Sequence, residues 1–209
     1  LFRSRLLVDL VTTHGAERVT LVGTLVVVLR PEVEDVARGD ARGRVDAPNH
    51  SRVIPEHVGF VPEDRHRDAL LLDAPLFENT ALQGAGARRG VTDWRGFRAR
   101  TSALLQQFDV RASGADAVAR TLSGGNQQKL VLAREAFPEP QILLVGQPTR
   151  GVDIGAIEFI HNQIIKMRDA GKAILLVSVE LDEIRSLADR IVVMFDGQVV
   201  GEADPATAT

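Results

Sequence analysis

Apolar residues recur along this chain in two rhythms. Continuous runs at Gln141-Ile142-Leu143-Leu144-Val145 and Ala173 to Ser178 have the length and aliphatic content of buried strands. Between them Ile157, Ile160, Ile164 and Met167 repeat at three- and four-residue spacing, which predicts a helix over Gly155 to Ala170 closed by Gly171. Strand, helix, strand with both strands buried is a βαβ unit, so a parallel sheet with right-handed crossovers is expected. Upstream, His57 to Val61 reads as another apolar strand. Trp94, Phe97, Thr101, Leu104, Leu105 and Phe108 then form the core stripe of a helix with Thr92 as its cap. Downstream come a short helix near Leu181 to Ala188 and a hairpin, Arg190 to Phe195 and Gln198 to Glu202 around Asp196-Gly197.

The first quarter is less regular. Arg5 to Val11 suits a short strand and Thr12 to Glu17 a loop. Val19 to Leu29 fits two readings, since Val19, Val22, Val26 and Leu29 share a helical face while the β-branched crowding favours a strand. Asp35 to Pro55 is polar and rich in Arg, Gly and Asp, a composition of turns with room for an edge hairpin. Gly84 to Gly90 reads as a flexible link, and Pro62 to Asp68 as a charged loop.

Chemistry concentrates between Thr121 and Asp153. Leu122-Ser123-Gly124-Gly125-Asn126 places a hydroxyl and two glycines at the start of a helix that Pro138 ends. The first backbone N–H groups of a helix have no partner within it, the helix dipole adds partial positive charge, and glycine lets a phosphate approach the backbone. A bare Ser-Gly-Gly is most often an ordinary N-cap. The order that follows is more specific: signature-like helix, apolar strand, Gln147-Pro148-Thr149, Gly151-Val152-Asp153.

In these residues the chain resembles the ATP-binding-cassette ATPases, and within them the second cassette of importers for simple sugars and nucleosides. LSGGNQQK (Leu122 to Lys129), PTRGVD (Pro148 to Asp153) and VPEDRHRD (Val61 to Asp68) carry the resemblance, which covers roughly Val58 to Pro205. Gln147 and Ser178-Val179-Glu180-Leu181 look more like the nucleoside branch. The resemblance implies an α/β fold of the P-loop NTPase type, with a mainly parallel sheet and a helical subdomain inserted at about 74–135. It implies a poorly matched part over 1–57, the cassette over 58–205 and a tail over 206–209. In such dimers each ATP lies between the phosphate loop of one cassette and the signature of the other. Leu122, Ser123, Gly124, Gly125, Asn126 and Gln128 would therefore serve nucleotide held by a partner, with Asp153 at the dimer junction. Glu63 would sense the γ-phosphate and, with Arg65, lie near the membrane subunit. A Gly124→Asp change would set a carboxylate against the triphosphate.

The hydrolytic half departs from the family. The pattern G-x-x-x-x-G-K-[ST] is nowhere in the chain, and no lysine precedes Lys129. The aspartate that would hold Mg²⁺ and the glutamate that would orient water are replaced by Gly146 and Gln147, and the switch histidine by Val179. Four losses in one site imply a cassette that does not turn over by itself. ATP and Mg²⁺ would be held mainly by a second, intact cassette. Transmembrane permease subunits and, indirectly, a substrate-binding protein complete the implied partners.

Composition narrows the alternatives. With 28 acidic and 25 basic residues interspersed, net charge −3, the chain lacks the basic excess of a nucleic-acid-binding surface. The absence of cysteine removes disulfide and thiolate chemistry and makes a reducing cytoplasm the expected compartment. No apolar run approaches the ~20 residues that span a bilayer, so work at a membrane would be peripheral. The five histidines lack ligand spacing, and no metal site is expected. A chromosome-maintenance ATPase would also carry LSGG, but coiled-coil heptads are absent. A non-catalytic structural or regulatory relic of a truncated gene is the remaining alternative. The chain opens on Leu1 without an initiating methionine, as expected of a segment of something longer.

Overall fold

In the computed structural model, which describes residues 58–195 and 198–205 and the backbone of Thr24–Leu29, six strands form one sheet. They are β1 (Thr24–Leu29), β2 (Val58–Val61), β3 (Ile142–Gly146), β4 (Ala173–Ser178), β5 (Arg190–Phe195) and β6 (Gln198–Ala203), in the spatial order β2-β3-β4-β1-β5-β6. Neighbours β2, β3 and β4 are parallel, while β1 is antiparallel to both β4 and β5. Strand β5 thus runs the same way as β4, and only β1 and the hairpin return β6 are reversed. The expected mainly parallel sheet is present in that sense. The conflict over Val19 to Leu29 resolves as strand for Thr24–Leu29, where a β-branched run finds ladder partners on both sides, Leu25 opposite Ser178 and Val193. The expected features at Arg5 to Val11, Thr12 to Glu17 and Asp35 to Pro55, and the turn residues Asp196 and Gly197, lie outside the described residues.

Burial explains the two rhythms. Leu143, Leu144 and Val145 of the interior strand β3 are all buried, as a sheet covered on both faces requires, and β4 alternates with Ile174, Leu176 and Ser178 inward. The long helix after β3 spans Ile154–Asp169 and is fully closed over Ile160 and Ile164. Gly171, at φ 91°, takes the left-handed turn that ends it.

Between β2 and β3 lie four α-helices, α1 (Arg65–Asp68), α2 (Leu76–Ala81), α3 (Trp94–Gln107) and α4 (Gly124–Ala136), and a 3-10 turn at Ala119–Thr121; α5 is Ile154–Asp169 and α6 Leu181–Leu187. The two ends of the inserted segment lie side by side, with Arg120 N–H donating to Leu72 O at 2.9 Å and Ala119 N–H to Ala74 O at 3.0 Å. Three local expectations are corrected. The charged stretch at Pro62 to Asp68 contains a helical turn, because Asp64 accepts from the N–H groups of His66 and Arg67. The cap of α3 is Asp93, which accepts from Gly96 N–H at 2.9 Å, not Thr92; two cap-forming residues stand side by side and the carboxylate takes the position. Trp94, assigned to the core stripe, is 44% exposed. It packs edge-on against Phe77 at 5.7 Å, while Thr101, Leu104, Leu105 and Phe108 of the same stripe are buried.

Candidate functional site

The site forms where the carboxyl end of β3, the turn after β2 and the amino end of α4 converge. Ser123 is the N-cap of α4, in extended conformation, and its hydroxyl accepts from Asn126 N–H at 3.4 Å. Leu122 behind it is buried and Ser123 itself exposed. This 13-residue helix therefore starts at the surface, with an exposed hydroxyl followed by the half-exposed Gly124.

The two glycines are held by the chain's own loop. A Cβ on Gly124 would lie 3.0 Å from Gly151 O and 3.0 Å from Arg65 Nη2, and one on Gly125 would lie 2.5 Å from Asp153 Oδ2 and 2.7 Å from Ala156 Cβ. Glycine is thus required where α4 and the loop after β3 touch. Asp153 caps α5, accepting from Ala156 N–H at 2.9 Å, so Gly125 also sits on the carboxylate that starts the next helix.

Arg65 joins the same junction. Its Nη1 donates to Arg150 O at 3.0 Å and its Nη2 to Gly151 O at 3.4 Å, while Nε is buried without a partner. Burial lowers the pKa of this guanidinium, and Asp64 pulls it partly back. Glu63 pairs with Arg150, so the turn after β2 grips the loop after β3 at two points. His66 adds a third tie to the signature helix through Gln127 Oε1 at 2.7 Å. Because Gln127 Nε2 donates to Ala119 O, the amide oxygen faces the imidazole, and His66 Nε2 is the donor.

Two of the expected nucleotide-contacting residues are engaged within the chain. Asn126 spends its side-chain amide on Ser123 and on Arg111 N–H, and Gln128 is buried at 2% exposure. Lys129, which the sequence did not single out, is also turned inward: its ammonium donates to Asp109 Oδ2 at 2.8 Å and lies 4.2 Å from the centre of the Phe159 ring. It follows Asn126 by one turn on the same face, and together they fasten the turn at 109–111. The hydrogen bond from Lys129, and then its charge, hold the Asp109 carboxyl below the usual carboxylate range. A pKa depressed by folding contributes stability above the unfolded value of ~4, and that contribution is lost as pH falls through the lower folded value. Asp109→Asn is expected to flatten the fall in melting temperature on acidification below about pH 4; an unchanged slope in a series of melting curves would discount the link.

The positions of the degenerate hydrolytic centre are gathered at the same sheet end. Gly146 is buried beside Val177, and Gln147, at φ 47°, extends the ladder through its N–H to Val177 O at 2.8 Å. The Gln147 amide oxygen lies 3.5 Å from Val179 N, and the Val179 side chain is 55% exposed. Around them stand a glycine, a neutral amide and an isopropyl group. None is a carboxylate for a divalent cation or a base for water. Behind them, Ser178 donates to Glu183 Oε2 at 2.5 Å and His161 Nε2 meets Glu183 Oε1 at 3.0 Å, a buried cluster that no sequence motif announced. Among the described residues no group of His, Asp or Glu is placed to hold a metal ion.

Comparison with known proteins settles the family. The family model described as ABC transporter matches residues 10–150, more than half of the chain. The chain belongs to the ABC transporter family. This cassette is 47% identical over 162 residues to the nucleoside import ATP-binding protein NupA of Lactococcus lactis subsp. cremoris, covering 76% of the chain and 32% of that protein. To the guanosine import ATP-binding protein NupO of Bacillus subtilis it is 42% identical with the same coverages, and to the glucose import ATP-binding protein TsgD13 of Haloferax volcanii 46% identical over 161 residues, covering 74% of the chain and 29% of the relative. The cassette spans about a third of the length of these relatives. Among solved structures it is similar to an ATP-binding cassette determined as a dimer in a post-hydrolysis state with ADP and phosphate. That match has TM-score 0.62 at 26% identity, covering 77% of this chain and 68% of the other. The α/β cassette fold expected from the sequence is therefore present, as is the likeness to nucleoside and sugar import cassettes. Among the described residues no helix is long and apolar enough to cross a membrane.

Proposed function

We propose that this cassette completes a composite ATP site in trans and contributes no hydrolytic centre of its own. The observation that carries the reading is the contrast within one sheet end. Ser123 is exposed at the amino end of α4, whereas Gly146, Gln147 and Val179 offer neither metal ligand nor base. The signature face fits a phosphate, since hydroxyl and N–H groups are donors and the helix dipole is favourable there. The end of β3 does not fit Mg²⁺, so ATP and the metal are assigned mainly to the phosphate loop of a second, intact cassette. Bound there, they supply phosphoryl transfer to water; this chain supplies donors to the transferring group. Glu63 and Arg65 tie the turn after β2 to the loop after β3, and His66 ties it to the signature helix; through this turn a membrane-spanning permease subunit would be coupled. Similarity to NupA and NupO supports import of nucleosides, with simple sugars as the alternative class, a substrate-binding protein as delivery partner, and a peripheral place on the cytoplasmic face of the membrane.

The first test uses the chain alone. Purified and supplied with Mg-ATP, it is expected to release no phosphate above background, since a base and a metal-binding carboxylate are both wanting at 146 and 147. Steady Mg-dependent turnover that survives repurification and is abolished by substituting a residue of this chain would overturn the reading.

A further inference from the structure

Asn126 holds the Ser123 hydroxyl in a single hydrogen-bonding role. The Asn126 side chain lies between two groups: Arg111 N–H, 2.8 Å from Oδ1, and Ser123 Oγ, 2.9 Å from Nδ2. The orientation of the amide is fixed by chemistry, because a backbone N–H can only donate and the end it meets must be the oxygen. The NH₂ group therefore faces Ser123. Ser123 Oγ accepts from it and, at 3.4 Å, from Asn126 N–H as well. A hydroxyl has two acceptor positions and one proton. Both acceptor positions are turned towards Asn126, which leaves the O–H proton to point away from the helix.

We infer that Asn126 is a positioning residue that makes Ser123 a pre-set, outward hydrogen-bond donor, selective for a ligand that presents acceptor oxygens. This deepens the composite-site reading and rests on it: a phosphate oxygen is all acceptor, so the donor needs no reorientation when it arrives. It also reassigns Asn126, which does not reach the nucleotide but acts through the serine. The anchor at Arg111 explains why the amide cannot swing outward, since leaving would strand the 109–111 turn as well as Ser123.

A double-mutant cycle tests the idea in the assembled transport ATPase that contains this chain, with kcat and KM for ATP measured separately and a melting curve for each variant. Ser123→Ala and Asn126→Ala are each expected to lower kcat about tenfold, the worth of one hydrogen bond to a charged group. The double variant should fall less than about twofold further, because the second change removes a partner already silent. Asn126→Asp should lower kcat roughly a hundredfold, since its carboxylate would draw the Ser123 proton inward while still accepting from Arg111. In the isolated chain, Ser123→Ala should shift the Asn126 side-chain amide resonances and leave the Arg111 N–H in place.

Single effects that multiply in the double variant would mean that Asn126 acts structurally, and would overturn the inference alone. So would unmoved Asn126 amide resonances, or a silent Asn126→Ala beside a damaging Ser123→Ala. A silent Ser123→Ala would overturn the inference together with the composite-site reading beneath it.

Discussion

Ser123→Asp is expected to slow the assembled ATPase by at least ~100-fold while leaving the melting temperature of this chain in place. The two halves of that expectation rest on different physics. Aspartate is as good an N-cap as serine, so a carboxylate at 123 can still accept from Asn126 N–H, and the exposed position imposes no packing cost. Against a bound triphosphate, however, it sets like charges at ~4 Å, a repulsion of roughly 4 kcal/mol at an effective dielectric near 20. Each 1.36 kcal/mol is tenfold in rate, so a hundredfold loss survives if solvent screens no more than about a third of it. Gln147→Asn is the matched control: it keeps a neutral amide at a position that offers no base, and its rate should stay within about twofold of the parent. If Ser123→Asp and the parent hydrolyse ATP equally, the signature does not touch nucleotide and the cassette serves as a structural relic.

Substitution at Gly124 is a less direct probe, for a reason invisible in the sequence. Leu122 to Asn126 reads correctly as the start of a helix, because hydroxyl, glycines and helix formers follow one another locally. The direction in which a side chain at 124 would point depends on residues far away. It meets Arg65 and Gly151 O, so an aspartate there would first encounter this chain's own guanidinium and carbonyl. Loss of activity in Gly124→Asp would mix an internal displacement with any effect on phosphate.

The same division runs through the whole fold. Strands β3 and β4 and helix α5 were legible because their signal is carried by adjacent residues and a fixed period. The cap of α3 was legible to within one residue, as Thr92 and Asp93 differ too little in local chemistry to be ranked. The insertion of β1 between β4 and β5 was not legible, since nothing in a β-branched run names its neighbours. Nor were the ties that shape the site. Glu63 meets Arg150 across 87 positions and His66 meets Gln127 across 61; each residue taken alone suits a solvated surface.

Arg134 is a polar residue whose loss should cost substantial stability, and it too is ordinary in sequence. It is 8% exposed, on the buried side of α4. Its Nε pairs with Glu135 Oε1 at 2.7 Å, and its Nη1 donates to Ala69 O at 2.7 Å and Asn79 O at 3.4 Å, in the segment that leads into the helical insert. Glu135 turns the other way and accepts from Phe60 N–H of β2 at 3.3 Å. Two consecutive residues thus bind the insert on one side and the sheet on the other. A buried pair gains little over an apolar pair of the same shape, but removing one partner strands the other charge and costs about 3 kcal/mol. Arg134→Met is therefore expected to lower the melting temperature by roughly 10 °C, taking 2–4 °C per kcal/mol for a domain of this size. Arg134→Lys should recover part of the loss, because an ammonium can serve Glu135 or Ala69 O but lacks the fork that reaches both. Adding Glu135→Gln to Arg134→Met should recover part as well, by neutralising the stranded carboxylate. Calorimetric melting of the parent and the three variants reads all of this directly. A melting temperature for Arg134→Met within ~2 °C of the parent would show that water, not Arg134, satisfies Glu135 and the insert carbonyls, and that the junction is held elsewhere.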